Sequence, residues 1–213
     1  MKLIQLILLA TVLCSKVVAQ PFIDEIRNFQ KQDSASFPKK GETLFVGSSS
    51  FRLWQDIESY FPGHEVINRG FGGSTLEDVI RYANEIIIPY EPVQIVIYAG
   101  ENDIAGGTSP ETVSERFTNL VTIIRNKLPH TRLIYVSAKP SPSREKFQPA
   151  MIAANSRIRD QISRLSNAAF VDVYKLMLTT EGKMRPELFG PDMLHMNEKG
   201  YQIWATAINS ALE

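Results

Sequence analysis

Short apolar runs alternate with longer amphipathic segments along most of this chain. Gln94–Tyr98 (QIVIY) and Arg132–Val136 (RLIYV) are continuous β-branched and aromatic runs. Such runs are typical of strands that are buried on both faces of a sheet. Three further short apolar runs, at residues 44–46, 66–68 and 169–174, bring the number of predicted strands to five.

Between these runs, apolar residues recur at helical spacing. Ser109 followed by Pro110 is typical of a helix start, with serine as the cap and proline at the first position. Asn197 can cap a last helix in the same way. Further helices are predicted over residues 51–60, 76–88 and 147–165. Strands that alternate with helices, with apolar central strands, predict an α/β fold in which helices cover both faces of a parallel sheet.

The first residues differ from the rest of the chain. MKLIQLILLATVLCSKVVAQ places a short apolar run after a basic residue, and small residues, Val17 and Ala19, precede the expected cleavage point. We therefore predict a signal peptide over residues 1–19, cleaved after Ala19, and a secreted or periplasmic protein with no membrane span after cleavage. Two alternatives are an uncleaved anchor and a lipid on Cys14, which is disfavoured because Leu13 stands where a small residue is expected.

After the predicted signal peptide, residues 20–41 form a leader with a weak helical pattern and a polar end, and the sequence leaves open whether it packs on the domain. Residues 42–213 are long enough for one domain with a sizeable core. The chain has 23 basic and 23 acidic residues, so its charge indicates neither nucleic acid nor an anionic membrane as a partner. Its one cysteine, Cys14, lies in the predicted signal peptide, so the mature protein has no disulfide.

Four polar or glycine-rich segments stand next to the predicted strands. Three serines follow the first strand, at residues 48–50, and the glycine-rich residues 70–74 follow the second. Residues 100–103 follow the third strand, and residues 192–195 precede the last helix. Because ligands bind at the carboxyl ends of strands in such sheets, we expect these segments to meet at one edge and form a site.

Each of these segments also has a purely structural interpretation. A serine between a strand and a helix is usually a cap, glycines after a strand usually make a turn, and Asn102 suits a turn as well. For chemistry, the helix start offers N–H groups to an oxyanion, and a glycine turn and an asparagine amide add donors.

His195 has an acidic residue, Asp192, three positions before it. That carboxylate can hold one ring nitrogen while the other takes a proton from a serine. The alternative is a surface histidine beside a helix cap. A metal site is disfavoured, since no second histidine lies at ligand spacing and no cysteine is available. Together the segments supply a nucleophile, oxyanion donors, a base and an orienting acid, which are the roles that acyl transfer requires.

The four segments also carry the resemblance to a known family. GSSS (47–50), RGFGGST (69–75), GEND (100–103) and DMLH (192–195) stand in this order in the chain, which therefore resembles the SGNH hydrolases, also called the GDSL esterase/lipase family. GSSS together with RGFGGST looks like the branch near bacterial acylhydrolases and platelet-activating-factor acetylhydrolase-like proteins. The resemblance begins at about residue 43 and implies a three-layer, flavodoxin-like, doubly wound sheet of five parallel strands with helices on both faces.

The resemblance also implies roles for individual residues. Ser49 would be the nucleophile, His195 the general base and Asp192 the acid that orients it. The oxyanion hole would consist of the N–H groups of Ser49 and Gly73 and the side-chain amide of Asn102. The family uses neither a metal nor a cofactor.

One residue departs from the family pattern. Ser48 stands where the family usually has an aspartate. That aspartate is not a member of the catalytic triad, so we interpret GSSS as a variant block and not as an inactivated one. We expect Ser48 to hydrogen-bond behind the nucleophile and Ser50 to cap the helix.

The sequence thus predicts an exported serine esterase that hydrolyses short-chain acyl esters, with acetyl as the expected group, because no long insertion suggests a lid. The substrate would be a small acyl ester, an acylated carbohydrate or a lysophospholipid. The alternatives are a lysophospholipase-type acylhydrolase, a non-catalytic module that binds an acylated glycan on the same fold, and acyl transfer to a sugar instead of water.

Overall fold

The structure, a computed structural model, describes residues 20–213, so the predicted signal peptide lies outside the described residues. Its sheet has five parallel strands in the order β2-β1-β3-β4-β5. This is the flavodoxin-like order, with the reversal of direction between β1 and β3. The predicted α/β fold is confirmed. The strands are β1 (Thr43–Gly47), β2 (Val66–Gly70), β3 (Gln94–Tyr98), β4 (Arg132–Val136) and β5 (Ala168–Val171).

Helices connect the strands and cover both faces of the sheet. The α-helices of the described residues are α1 (Ile23–Ala35), α2 (Ser49–Arg52), α3 (Leu76–Arg81), α4 (Ala83–Ile86), α5 (Glu101–Ala105), α6 (Pro110–Lys127), α7 (Gln148–Ile162), α8 (Val173–Leu176) and α9 (Glu198–Asn209). Short 3₁₀ segments lie at Ile57–Tyr60, Ile88–Tyr90, Pro142–Phe147 and Pro186–Leu188.

Two apolar layers sandwich the sheet because side chains alternate along each strand. On β1, Leu44 and Val46 pack into the layer under α1, α3, α4, α6 and α7, whereas Phe45 packs into the layer under α2, α8 and α9. The three central strands are almost wholly buried, which explains why their sequences are apolar without interruption.

Two predicted helices are broken in the structure. The segment predicted as a helix over residues 51–60 is α-helical only up to Arg52 and resumes as a 3₁₀ turn at Ile57. Just before that turn, Asp56 adopts a left-handed conformation with φ of 49°. The segment predicted over residues 76–88 divides into α3 and α4 at Tyr82, whose backbone is not helical.

The last predicted strand, over residues 169–174, is shorter than expected. It ends at Val171, and the side chain of Asp172 accepts a hydrogen bond from the Lys175 N–H, which starts α8. By contrast, the helix starts at Ser109 and Asn197 are confirmed, and both side chains accept hydrogen bonds from the first turn of the helix. These two starts depend on local capping alone.

The leader packs against the domain through α1. Ile26 is buried, and the ring of Phe22 meets that of Phe71 edge-on with centroids 5.4 Å apart. At the other end of the helix, Asp33 forms an ion pair with the buried Arg69, with 2.5 Å between oxygen and nitrogen. Phe71 belongs to the glycine-rich loop after β2, so α1 lies against one wall of the predicted site.

Candidate active site

The three strands that carry the predicted site end at the same level of the sheet. Gly47, the last residue of β1, is in register with Gly70 on β2 and with Tyr98 on β3. The loops that follow these strands therefore start side by side, as the rule for parallel sheets predicts.

The turn from β1 into α2 is tightly held. Gly47 has a φ of 142°, and a β-carbon there would lie 1.9 Å from the Tyr98 carbonyl oxygen, so only glycine fits. The Ser48 N–H donates to that same carbonyl over 2.9 Å. The Gly47 carbonyl in turn accepts from the Phe71 N–H at 2.9 Å and from the Ser74 hydroxyl at 3.0 Å. The first and second loops are thus joined directly behind Ser49.

The structure brings Ser49, His195 and Asp192 into one hydrogen-bonded chain. Ser49 is the first residue of α2, and its Oγ lies 2.9 Å from His195 Nε2. On the other side of the ring, His195 Nδ1 lies 2.6 Å from Asp192 Oδ2. The second carboxylate oxygen, Oδ1, accepts from the backbone N–H groups of Leu194 and His195, each over 3.0 Å. This arrangement allows the ring to accept a proton from the serine hydroxyl.

Asp192 is held in its charged form by these contacts. Partial removal from water raises the pKa of Asp192, but the hydrogen bonds from the Leu194 N–H and from the ring and N–H of His195 outweigh it and lower that pKa to about 2. The carboxylate is therefore ionised at neutral pH and can accept a hydrogen bond from the N–H at Nδ1 of His195.

The loop that carries His195 closes on itself. The Gly190 N–H donates to the His195 carbonyl over 2.8 Å, and Phe189 forms an antiparallel bridge with Met196. Met193, at the tip, adopts a left-handed conformation with φ of 53°. Asn197 then starts α9 as its cap, so the base sits between a closed turn and the start of a helix.

Two of the three predicted oxyanion donors, the backbone of Gly73 and the side-chain amide of Asn102, lie next to each other. A β-carbon on Gly73 would lie 3.9 Å from Asn102 Nδ2, which places this backbone next to the amide. Asn102 gives one of its N–H bonds to the Ser74 carbonyl over 3.0 Å and keeps the second. Within residues 20–213, the backbone N–H groups of Ser49 and Gly73 donate to no protein acceptor. Three unpaired donors are therefore available to a ligand.

The roles expected of the flanking serines are partly wrong. Ser48, and not Ser50, occupies the N-cap position of α2, and its side chain makes no capping hydrogen bond. Ser50 is buried inside the helix, where its carbonyl accepts from the Tyr201 hydroxyl over 2.9 Å. The hydrogen bonds behind Ser49 therefore come mainly from backbone groups, which side-chain identities in the sequence do not indicate.

A buried cluster of charges beside Asn102 was missed by sequence reasoning. Lys139 Nζ lies 2.6 Å from a carboxylate oxygen of Glu101, and Arg144 Nη1 lies 3.1 Å from the other. The Tyr98 hydroxyl donates to the same carboxylate. The sequence did contain an indication of this cluster. An acid in GEND (100–103) and two cations in KPSPSR (139–144) follow consecutive buried strands, at the edge of the sheet where polar groups gather.

The protonation of this cluster follows from burial and pairing. Burial raises the pKa of Glu101, but the charges of Lys139 and Arg144 outweigh it and hold that pKa below its usual value. Burial lowers the pKa of Lys139, and the attraction of Glu101 opposes this. Charged Glu101 is thus the anchor on which both cations converge.

The fold is a parallel α/β sheet, and its candidate site has a serine at the start of a helix within hydrogen-bond distance of a histidine. The sequence profile of the GDSL-like lipase/acylhydrolase family matches residues 41–203, and the chain belongs to that family. The predicted family is therefore confirmed. No curated protein is similar enough in sequence to count as a match.

Solved structures share this fold across nearly their whole length. A Streptococcus pneumonia protein provisionally described as a platelet activating factor superposes with a TM-score of 0.78 at 19% identity, covering 89% of this chain and 92% of its own. A GDSL-like lipase of Bacteroides thetaiotaomicron VPI-5482 superposes with a TM-score of 0.74 at 22% identity, covering 87% of this chain and 96% of its own. A catalytic mutant of an acetylxylan esterase from Geobacillus stearothermophilus superposes with a TM-score of 0.67 at 16% identity, covering 82% of this chain and 95% of its own. At these identities the likeness shows the fold.

Two further properties concern the described residues alone. Between residues 20 and 213, no helix combines the length and the apolar character that crossing a membrane requires. In the same part of the chain, no group of three or more His, Cys, Asp or Glu side chains is arranged to hold a metal ion.

Proposed function

We propose that this protein is a serine esterase that hydrolyses short-chain acyl esters, with acetyl as the preferred group. The observation that carries the proposal is the chain of two hydrogen bonds from Ser49 Oγ through the His195 ring to Asp192, of 2.9 Å and 2.6 Å. Membership of the GDSL-like lipase/acylhydrolase family supports it.

In the first half of the reaction, Ser49 Oγ attacks the ester carbonyl while His195 Nε2 takes the hydroxyl proton. Charged Asp192 holds the ring and stabilises the imidazolium. The carbonyl oxygen becomes an oxyanion, which the N–H groups of Ser49 and Gly73 and the amide of Asn102 receive. His195 then gives this proton to the leaving alcohol, and the acyl group remains bound to Ser49 as an acyl-enzyme.

In the second half, a water molecule gives a proton to His195 and attacks the acyl carbonyl, and the same three donors stabilise the second oxyanion. Collapse of this intermediate returns the proton to Ser49 Oγ and releases the acid. Both halves use the same residues, so loss of any one of them affects both steps.

The preference for short acyl groups rests on the absence of a long insertion that could form a lid. A groove of about 920 Å³ runs along α9 between apolar residues such as Leu176 and Ile203, but its lining does not include Ser49. It therefore offers no channel for a long acyl chain attached there. The acetylxylan esterase of the same fold makes an acetylated carbohydrate the first natural substrate to try. We also propose that the protein is exported, with cleavage after Ala19.

The test is hydrolysis of p-nitrophenyl acetate, butyrate and octanoate by wild type, Ser49→Ala and Ser50→Ala. We expect Ser49→Ala to lower kcat by several orders of magnitude, about 10³- to 10⁶-fold, because the nucleophile is lost. Ser50→Ala, one residue along the same helix, should stay within about threefold, since Ser50 is buried and takes no part in the hydrogen bonds that join Ser49, His195 and Asp192. We expect acetate to be the best of the three esters.

A loss smaller than tenfold in Ser49→Ala would contradict the proposed nucleophile. Labelling by a fluorophosphonate separates the remaining possibilities. Labelling of Ser49 without ester turnover would indicate an enzyme for a narrower substrate, whereas a protein that binds acylated glycans and is never labelled would be a binding module. An octanoate preference would favour the lysophospholipase-type alternative.

A further inference from the structure

Arg144 connects the buried charge cluster to the oxyanion hole. Its guanidinium donates through Nη2 to the side-chain oxygen of Asn102 over 2.8 Å, and Nη1 lies 3.1 Å from Glu101. From this geometry we propose that Arg144 is a positioning residue of the oxyanion hole, acting through the amide of Asn102. The inference rests on the proposed function, because it gives Arg144 a role in the same reaction.

The amide of Asn102 needs such a partner because its two ends are nearly the same in shape and opposite in function. Only the NH₂ end stabilises an oxyanion; the oxygen end would repel it. In the observed orientation, the oxygen accepts from the Arg144 cation and one N–H donates to the Ser74 carbonyl. A rotated amide would set its oxygen against that carbonyl and its NH₂ against the guanidinium. Both neighbours therefore select the orientation that leaves one N–H for the substrate.

Arg144 is itself held by Glu101. The carboxylate is buried, with 4% of its side chain exposed, and also binds the fully buried Lys139. Two cations thus converge on this one carboxylate, and the pairing with Glu101 holds the Arg144 guanidinium beside Asn102.

The segment around Arg144 also connects the two halves of the site. The N–H of Ser143 donates to the Met193 carbonyl over 3.1 Å, and Met193 lies in the closed loop that carries the base. The neighbouring Ser141 hydroxyl lies 3.4 Å from Glu101. The segment therefore fixes the oxyanion donor relative to His195 as well as orienting the amide.

A direct contact of Arg144 with the substrate is the competing interpretation. Both terminal nitrogens of the guanidinium are already engaged, and 17% of the side chain is exposed. A residue that binds the substrate would change mainly KM, whereas one that orients an oxyanion donor acts in the transition state and changes kcat. The two interpretations therefore differ in a measurable way.

The experiment is a double-mutant cycle with Arg144→Met and Asn102→Ala on p-nitrophenyl acetate. Alone, Asn102→Ala should lower kcat by about 10²- to 10³-fold, as expected for a lost oxyanion donor. Arg144→Met should lower kcat by about 10- to 100-fold with KM nearly unchanged, and Arg144→Lys by less. In the Asn102→Ala background, Arg144→Met should cost less than about threefold, because the group that it positions is absent.

Arg159→Met is the matched control. Arg159 also pairs with a carboxylate, that of Asp172 at 2.5 Å, but it lies on α7 away from the site, and we expect near wild-type kcat. Since Lys139 still neutralises Glu101 in Arg144→Met, this variant should fold, which thermal unfolding checks. An equal loss of kcat in both backgrounds, no loss at all, or a loss confined to KM would overturn the proposal.

A second measurement does not depend on turnover. The side-chain amide of Asn102 gives a pair of ¹H–¹⁵N resonances that Asn102→Ala identifies by their disappearance. We expect these resonances to shift or broaden in Arg144→Met and to stay in place in Arg159→Met. If they stay unchanged in Arg144→Met, the positioning role is wrong, whether or not the wild type hydrolyses an ester. Absence of ester hydrolysis and of fluorophosphonate labelling in the wild type would instead count against the proposed function.

Discussion

At the residue scale, Asp192 shows how one half-exposed carboxylate can serve two purposes. One of its oxygens closes the turn by accepting two backbone N–H groups, and the other binds the His195 ring. The hydrogen bonds that shape the loop are also those that keep the acid charged, with a pKa of about 2. Loop geometry and base orientation therefore depend on the same atoms.

We expect Asp192→Asn to lower kcat by about 10²- to 10⁴-fold. The asparagine oxygen can replace only one carboxylate oxygen. If it keeps the turn, the NH₂ group faces Nδ1 and favours the tautomer with its proton on Nε2, which cannot take a proton from Ser49. Steady-state kinetics measures kcat of Asp192→Asn and of a control, Asp56→Asn. Asp56 is an exposed acid in a turn, and its variant should keep the wild-type kcat. A variant that keeps more than a tenth of the activity would show that Asp192 is not needed to orient the base.

At the element scale, the leader helix α1 braces the oxyanion loop. The Glu25 carboxylate accepts from the Gly72 N–H over 2.9 Å, next to the proposed donor Gly73. Gly72 has a φ of 31°, and a β-carbon there would lie 2.3 Å from the ring of Phe22. The loop and the helix are therefore in direct contact, and the conformation of one depends on the position of the other.

We expect Gly72→Ala to destabilise the fold by about 1–3 kcal/mol more than Gly107→Ala. Both glycines have positive φ, so both substitutions carry the strain of a left-handed residue, but nothing lies within 4 Å of a β-carbon at Gly107. Denaturant unfolding gives the free energy of unfolding of the two variants, and the difference between them measures the cost of the contact at Gly72. The excess should shrink when Phe22→Ala is added. An excess that persists in that double variant would place the clash elsewhere.

At the scale of the whole molecule, two carboxylates with lowered pKa values make stability depend on pH. Glu101 and Asp192 both have a pKa below the ordinary value in the folded protein. The folded state therefore binds fewer protons than the unfolded chain at acidic pH, since unfolded carboxyls titrate at about 4. Their stabilising contribution is complete above about pH 4–5 and is lost as the pH falls through the folded values.

Glu101→Gln tests this dependence for the buried cluster. At pH 7 we expect a loss of about 3–5 kcal/mol in the free energy of unfolding, because Lys139 and Arg144 lose the charge that compensates them in the interior. The difference from wild type should narrow as the pH falls below about 4, because the unfolded wild-type carboxyl then binds a proton while folded Glu101, whose pKa is lowered, stays charged. Glu58→Gln, at an exposed position, should show neither effect. If the difference in free energy of unfolding between wild type and Glu101→Gln does not change with pH, Glu101 does not stabilise the fold through its charge.

The sequence determined whatever depends on local or continuous patterns. Gln94–Tyr98 and Arg132–Val136 were predicted to the residue, because strands buried on both faces need uninterrupted apolar side chains. The helix starts at Ser109 and Asn197 were predicted because a cap acts within its own first turn. The order of the four motifs was enough to indicate the family and the expected roles of Ser49 and His195.

The tertiary structure decided what depends on contacts between distant parts of the chain. The docking of α1 depends on contacts with residues far along the chain, such as that of Phe22 with Phe71, which no local pattern encodes. The pairing of Glu101 with Lys139 and Arg144 exists because β3 and β4 lie side by side and end at one edge. Charged residues in separate loops have no preferred partner along a sequence. Burial supplies one, because only a paired charge is stable away from water.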